Sequence, residues 1–307
     1  MIVSASRRTD IPALYPEWFM NRMRAGFCTV PNPFNAKQVS TIPLNRTEVD
    51  AIVFWTRYPA RFLPMLDELD AFGIPYTFLF TLMSYPPDME PNMPSFPARL
   101  DTFLRLAERV GPDRVAWRYD PIVLSRVTNA FFHQNNFQQI ATLLQGATHQ
   151  CIVSVMDPYG KTVKRMKRIS EELQPELTPS PESVLPLLAD MAAIAEQSGM
   201  TFQTCAQSEA FANATVRPGA CIDAARLNTV FNLSIPCHKD SGQRPHCLCS
   251  ASRDIGMYDS CVFGCTYCYA NADFARSVRN RAAHDPLSPS LLGHHPPDAV
   301  QKSLFAE

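Results

Sequence analysis

The chain has 307 residues, 46% apolar and 19% charged, with a formal net charge of −1. That length buries a core of one large domain or two small ones, and the charge balance gives no global argument for nucleic acid. Ten cysteines in a long chain that opens without a signal-like apolar stretch read as metal ligands in a reducing cytoplasm rather than as disulfides. No apolar run approaches membrane-spanning length, so no membrane partner is expected.

Residues 2–6 read as a short buried strand. Asp10 is the expected N-cap of a helix with Pro12 in its first turn, running to about Ala25 and closed by Gly26. Arg7 and Arg8 follow the strand directly, where parallel α/β folds gather ligand-binding residues. Anion binding and two solvated arginines are both open there. Residues 27–48 read as irregular. A strand is expected over 51–55, ending at Thr56-Arg57, then a helix over 60–72 and a strand over 75–81. Pro86, Pro87, Pro91, Pro94 and Pro97 make the next stretch a stiff loop suited to a lid.

A helix over 98–110 leads to a strand over 114–119 and to Asp120-Pro121. A helix near 134–145 leads to a strand over 151–156 and to Asp157-Pro158. Helices are expected over 161–172 and up to about Ser198, then a strand over 200–203 ending at Thr204-Cys205. Helices alternating with strands argue for a parallel sheet, and polar residues at the same end of every strand argue for one functional rim. No Gly-rich phosphate loop follows a strand, so the fold class expected is α/β, a parallel (β/α) barrel. Its body would span 1–204. A cysteine-rich segment over 205–281 would complete it, with a helix over 222–230, a strand over 254–258 and a helix over 269–281. Residues 282–307, rich in Pro and Ser and including His294-His295, read as a loose tail.

The chemistry concentrates in Cys261-Val-Phe-Gly-Cys265-Thr-Tyr-Cys268. A [4Fe–4S] cluster has four irons, so three thiolates leave one open for a small molecule. Zinc, which favours two C-x2-C pairs or a Cys/His set, and a disulfide are the alternatives. Cys205, Cys221, Cys247 and Cys249 could close a second cluster, iron–sulfur ahead of zinc, with Cys237, His238 and His246 as spare zinc ligands. Packed free thiols are the plain alternative. Cys28 and Cys151 lie in apolar strands and read as core. Lys161, Lys164, Arg165 and Arg168 share a helix face that is either solvated or a phosphate or nucleic-acid contact. Asp120 and Asp157 either bind a ligand or cap turns, and Arg118 shares the Asp120 face of its strand.

The C-x3-C-x2-C spacing, with Tyr267 before the last cysteine, resembles the signature of the radical S-adenosylmethionine (radical SAM) superfamily. The resemblance implies S-adenosylmethionine (SAM) on the open iron, radical chemistry on a substrate it does not identify, small molecule or nucleic acid, and a reducing partner such as a ferredoxin or flavodoxin. By their place on the same rim, Arg7, Arg8, Arg118, Asp120 and Asp157 are the expected contacts to the cofactor. In that superfamily the loop follows the first barrel strand and a Gly-Gly-Glu stretch follows the next. Here the loop comes after residue 260 and no such stretch is present. A circular permutation, with 254–258 lying beside residues 2–6, reconciles the order, and a separate cysteine-rich module is the rival. Arg118-Tyr-Asp-Pro121 also resembles a strand end of DNA-lesion-repairing radical SAM lyases. The whole chain except its tail resembles a family of uncharacterised bacterial proteins, through Ser6–Pro12, Phe54–Thr56, Arg118–Pro121, Cys247-x-Cys249, Asp254–Tyr258 and the three-cysteine loop. The alternative from another class is a non-catalytic zinc or iron–sulfur module for electron transfer or nucleic-acid binding.

Overall fold

The computed structural model describes residues 1–168 and 173–297. Residues 169–172, the end of the helix expected over 161–172, lie outside them.

Ten strands form: β1 (Ile2–Ala5), β2 (Phe27–Asn32), β3 (Asn35–Pro43), β4 (Ala51–Thr56), β5 (Tyr76–Thr81), β6 (Val115–Ile122), β7 (Gln150–Val155), β8 (Thr201–Cys205), β9 (Arg217–Gly219) and β10 (Ser252–Asp254). Eight of them make one sheet in the order β10-β1-β4-β5-β6-β7-β8-β9, with parallel pairing throughout. The helices are α1 (Ile11–Leu14), α2 (Pro16–Ala25), α3 (Leu66–Ala71), α4 (Phe96–Val110), α5 (Ala130–Leu143), α6 (Gly160–Met166), α7 (Pro181–Gln197), α8 (Ala224–Phe231) and α9 (Phe274–Ala282).

Side chains alternate across a strand, and that alternation gives the sheet two faces with different tasks. Val3, Ile52, Phe54, Phe78, Phe80, Trp117, Tyr119 and Val153 point into the larger core, where α2, α4, α5 and α7 pack. Ile2, Ala51, Val53, Leu79, Ala116 and Ile152 point the other way, into a smaller core completed by α8 and four cysteines. Toward the C-terminal ends of the strands the second face turns polar, through Ser4, Trp55, Arg118, Asp120 and Ser154, which keep the same alternation.

The strand expected over 254–258 is Ser252–Asp254. It does lie beside residues 2–6, with Ile2 opposite Ser252 and Ser4 opposite Asp254. Asp254 ends it, because its carboxylate turns back to accept Gly256 N–H at 3.0 Å, as Asp does in turns. The same group accepts Ser4 Oγ–H and Arg7 N–H, both at 2.8 Å.

Three further expectations are corrected. Residues 27–48 hold an antiparallel hairpin, β2–β3. Pro31 and Pro33 mask it in the sequence, and Thr29 N–H leaves the pair for Pro289 O at 2.8 Å. The helix expected over 60–72 is α-helical only from Leu66, after a single 3-10 turn at Leu63–Met65. Of the stretch expected to be a loose tail, residues 282–297 are docked, and residues 298–307 lie outside the described residues: Trp18 Nε1 donates to Ser288 O at 3.0 Å, and Ser290 and Leu291 are buried. Among the described residues no helix is long and apolar enough to cross a membrane.

Candidate metal centre

Asp259 starts the three-cysteine loop and holds its two ends together. Its carboxylate accepts Ala272 N–H at 2.5 Å and Asp273 N–H at 3.2 Å. Asn271 Nδ2 donates to Cys261 O at 2.6 Å, and Tyr15 OH to Ser260 O at 2.6 Å. Within the loop Cys268 N–H reaches Cys265 O at 3.0 Å, and Gly264 takes a left-handed φ of 73°, which glycine adopts without steric cost. The three thiols thus come together. Cys265 and Cys268 act on Cys261 through space, and burial pushes Cys261 strongly, and Cys265 to about 11, toward the thiol form.

Two elements grip this loop. The proline loop between β5 and α4 covers one side: Asn92 Nδ2 donates to Val262 O at 3.0 Å, Asn92 N–H to Phe263 O at 3.3 Å, and Met89 O accepts Thr266 N–H at 3.0 Å. Pro97 belongs to the first turn of α4 instead. On the other side Arg165 of α6 cups the loop backbone, donating to Thr266 O at 3.0 Å, Asn271 O at 2.7 Å and Cys268 O. The basic face expected on this helix is therefore partly spent inward. Lys161, its neighbour on that face, stands over the Tyr258 ring.

Sequence reasoning missed the buried charge network under Cys265. Arg57, at the end of β4, donates to Cys265 Sγ at 2.9 Å and Tyr267 OH at 2.8 Å, and pairs with Glu90 at 2.5 Å. Arg99 is 3.4 Å from the other Glu90 oxygen, and Tyr267 OH donates to Glu90. Burial works against the Arg57 charge, but Glu90, Tyr267 and Cys265 more than offset it, so its pKa is raised well above the ordinary value. The available signals were the position of Arg57 at a strand end and the aromatic residue before Cys268.

Cys205, Cys221, Cys247 and Cys249 meet on the second face of the sheet, all buried. Cys205 and Cys221 sulfurs are 3.0 Å apart, and Ile222 N–H donates to Cys249 Sγ at 3.4 Å. Cys249 is driven toward thiolate by hydrogen bonds from Cys205, Cys221 and Cys247. Cys237, His238 and His246 are exposed, while Cys28 and Cys151 are core, as expected. Among the described residues no group of three or more His, Cys, Asp or Glu is placed so that it could hold a metal ion as it stands.

Between the two sulfur sets lies an arginine–tryptophan stack. The Arg118 guanidinium is 4.6 Å and that of Arg7 5.6 Å from the Trp55 ring centre. Arg118 pairs with Asp120 at 2.7 Å, and Ser154 Oγ also donates to Asp120. Burial opposes the Arg118 charge, but Asp120, Cys221 and Cys205 outweigh it and raise its pKa. Tyr269 OH donates to Arg7 O at 2.6 Å and lies in the field of Arg118, Cys268 and Asp254. Arg7 Nη2 and Arg118 Nε are buried without a hydrogen-bond partner. Of the five residues expected to bind a cofactor, Arg7, Arg118 and Asp120 converge here. Arg8 turns away to Gly256 O and the Tyr258 ring, and Asp157 pairs with Arg244. The surface concavity lined by Gly111, Asp113, Arg114, Arg226 and Thr229 contains none of these groups.

This arrangement coincides with a family match. Residues 2–270 match a family described as a domain of unknown function (DUF1848). The chain belongs to that family. A search of curated proteins finds no match.

Proposed function

We propose that the protein is a radical-SAM-like iron–sulfur enzyme, with Cys261, Cys265 and Cys268 holding a [4Fe–4S] cluster. The observation that carries this reading is the position of the loop. It follows β10, and β10 pairs in parallel with β1, so strand, cysteine loop and α9 form a unit beside the first strand of the chain. The donor set fits a cluster with one open position. Its partners within bonding reach are Arg57 and backbone amides, and among the described residues no fourth thiol or imidazole joins it.

The fold reading is a permuted (β/α) barrel. The crossover helices from α2 to α7 pack on one face of the sheet, the pattern of a barrel, whereas doubly wound sheets carry helices on both faces.

When bound, the cluster and SAM would supply a carbon radical by one-electron cleavage. The remaining work falls to the protein. The Arg57 N–H bond to Cys265 withdraws charge from that sulfur and would raise the potential of a cluster held there relative to an unbonded thiolate. Asn92, Met89 and Arg165 fix the loop backbone. Arg7 and Arg118, each with an unpartnered N–H beside Trp55, offer donors to a carboxylate, of SAM or of substrate. Asp120 accepts from a hydroxyl or amine.

Anaerobic purification with iron and sulfide analysis, followed by reduction in the presence of SAM, tests this reading. Bound iron with matching sulfide and release of 5′-deoxyadenosine are expected, and Cys265→Ala should abolish that release. Zinc alone at this loop, or a cluster indifferent to SAM, would instead make the protein a non-catalytic metal module.

A further inference from the structure

Two cysteine sets occupy one molecule, and their sulfurs are spaced differently. Among the described residues no sulfur–sulfur hydrogen bond joins Cys261, Cys265 and Cys268; Cys265 Sγ accepts from Arg57 at 2.9 Å and Cys268 Sγ from Ala270 N–H at 3.3 Å. In the second set the sulfurs touch: Cys205 and Cys221 are 3.0 Å apart. An iron–sulfur cube keeps its ligand sulfurs well apart, because the irons themselves fill the space between them. Four sulfurs at about 2.3 Å from a tetrahedral ion stand only about 3.8 Å from one another. Opening the Cys205–Cys221 contact to that distance needs a shift of about 0.4 Å per sulfur.

The chain topology says what such an ion would join. β9 and β10 end the strand order. Cys205 closes β8 and Cys221 lies just past β9, while Cys247 and Cys249 lie just before β10. The flanking backbones already meet, with Ser250 N–H on Ile222 O at 2.8 Å and Ala224 N–H on Ser250 Oγ at 3.0 Å. The surroundings suit a charged four-thiolate centre. Arg118 sits beside Cys205 and Cys221 and Arg7 beside Cys249, while Ile2, Ala51, Val53 and Leu79 exclude water from the other side.

We infer that Cys205, Cys221, Cys247 and Cys249 bind a single zinc ion tetrahedrally, and that this ion clasps the two edges of the parallel sheet. The site replaces the second iron–sulfur cluster expected from the sequence. It is structural, since four thiolates leave zinc no open position. It does not depend on the chemistry at Cys261, Cys265 and Cys268.

The test uses the full chain carrying Cys261→Ala, Cys265→Ala and Cys268→Ala, expressed with both zinc and iron available. Elemental analysis should return one zinc per chain, without sulfide. Replacement of zinc by cobalt(II) should give the visible bands of a tetrahedral cobalt thiolate. Alkylation mapped by peptide mass should spare the four named thiols until a chelator is added. The melting temperature should fall on chelation, because metal binding and folding are coupled. Adding Cys247→Ala and Cys249→Ala should lose the zinc. Should that variant fail to fold, the cobalt spectrum and alkylation map of its parent still decide. Iron with sulfide retained by the loop variant, a Cys205–Cys221 disulfide, or four freely alkylated thiols would each overturn the assignment, whatever becomes of SAM cleavage.

Discussion

Glu90 is 5% exposed and keeps company with Arg57, Arg99 and Tyr267. A buried carboxylate survives only when paired, and removing one member of such a group costs about 3–5 kcal/mol. Glu90→Gln leaves two guanidiniums facing a neutral amide beneath Cys265. Urea unfolding should show a loss of that size, and a change under ~1 kcal/mol would mean the network is solvated. His133 provides a pH-dependent counterpart. It is fully buried, bonded to Tyr119 OH at 2.8 Å and Val123 O at 3.1 Å, and burial lowers its pKa to about 4. The unfolded chain therefore binds a proton below about pH 6.5 that the folded chain refuses until about pH 4. Stability rises with pH across that window and is lost as pH falls through it, by up to about 3 kcal/mol from this group. His133→Phe should flatten that part of the pH–stability curve measured by denaturant. An unchanged slope would exclude His133 as its source. None of these partnerships was legible in the sequence. Glu90 and Tyr267 are 177 residues apart, and nothing local to Glu90 marks it as buried.

At the scale of elements, β1 and β4 to β8 were legible because their apolar runs end in polar residues at one rim, whereas β2, β3 and β9 lack that signal. The helices were legible where caps declare themselves, as Asp10 does by accepting Ala13 N–H. The Asp-Ile-Gly-x-Tyr stretch yields its reason only in three dimensions. A Cβ on Gly256 would lie 1.9 Å from Ser6 Oγ, and that oxygen accepts Arg8 N–H at 2.8 Å. The first and last motifs of the chain are thus two sides of one contact. The basic side of α6 was ambiguous for a related reason, since spacing cannot say whether a cation faces water or a carbonyl. Arg165 faces three carbonyls of the cysteine loop. Arg165→Ala should leave circular dichroism almost unchanged while lowering the iron that the proposed cluster at Cys261, Cys265 and Cys268 retains during gel filtration. Full retention would show that the proline loop and Asp259 suffice to hold it.

For the whole molecule, the reading that placed a loose tail after residue 281 failed over residues 282–297 because the contacts run through backbone carbonyls, which composition does not reveal. Trp18, Asn21, Arg22 and Thr29 donate to the carbonyls of Ser288, Pro286, Leu287, Pro289 and His295. Leu291 is 1% exposed in the main core. Prolines and serines are no obstacle to this mode of docking, since it needs acceptors and no regular ladder. A chain ending at Ala283 would lose these bonds, each contributing about 1 kcal/mol net, and about 2 kcal/mol of Leu291 burial. The expected readout is a lower denaturant midpoint at unchanged secondary structure. The loss should spread to the cysteine loop, because Tyr15, one turn from Trp18, donates to Ser260 O and packs edge-on against His284. Hydrogen exchange should therefore quicken in residues 257–262 as well as in α2. Exchange that quickened in α2 alone would show that the segment stabilises its helix without reaching the cysteine loop.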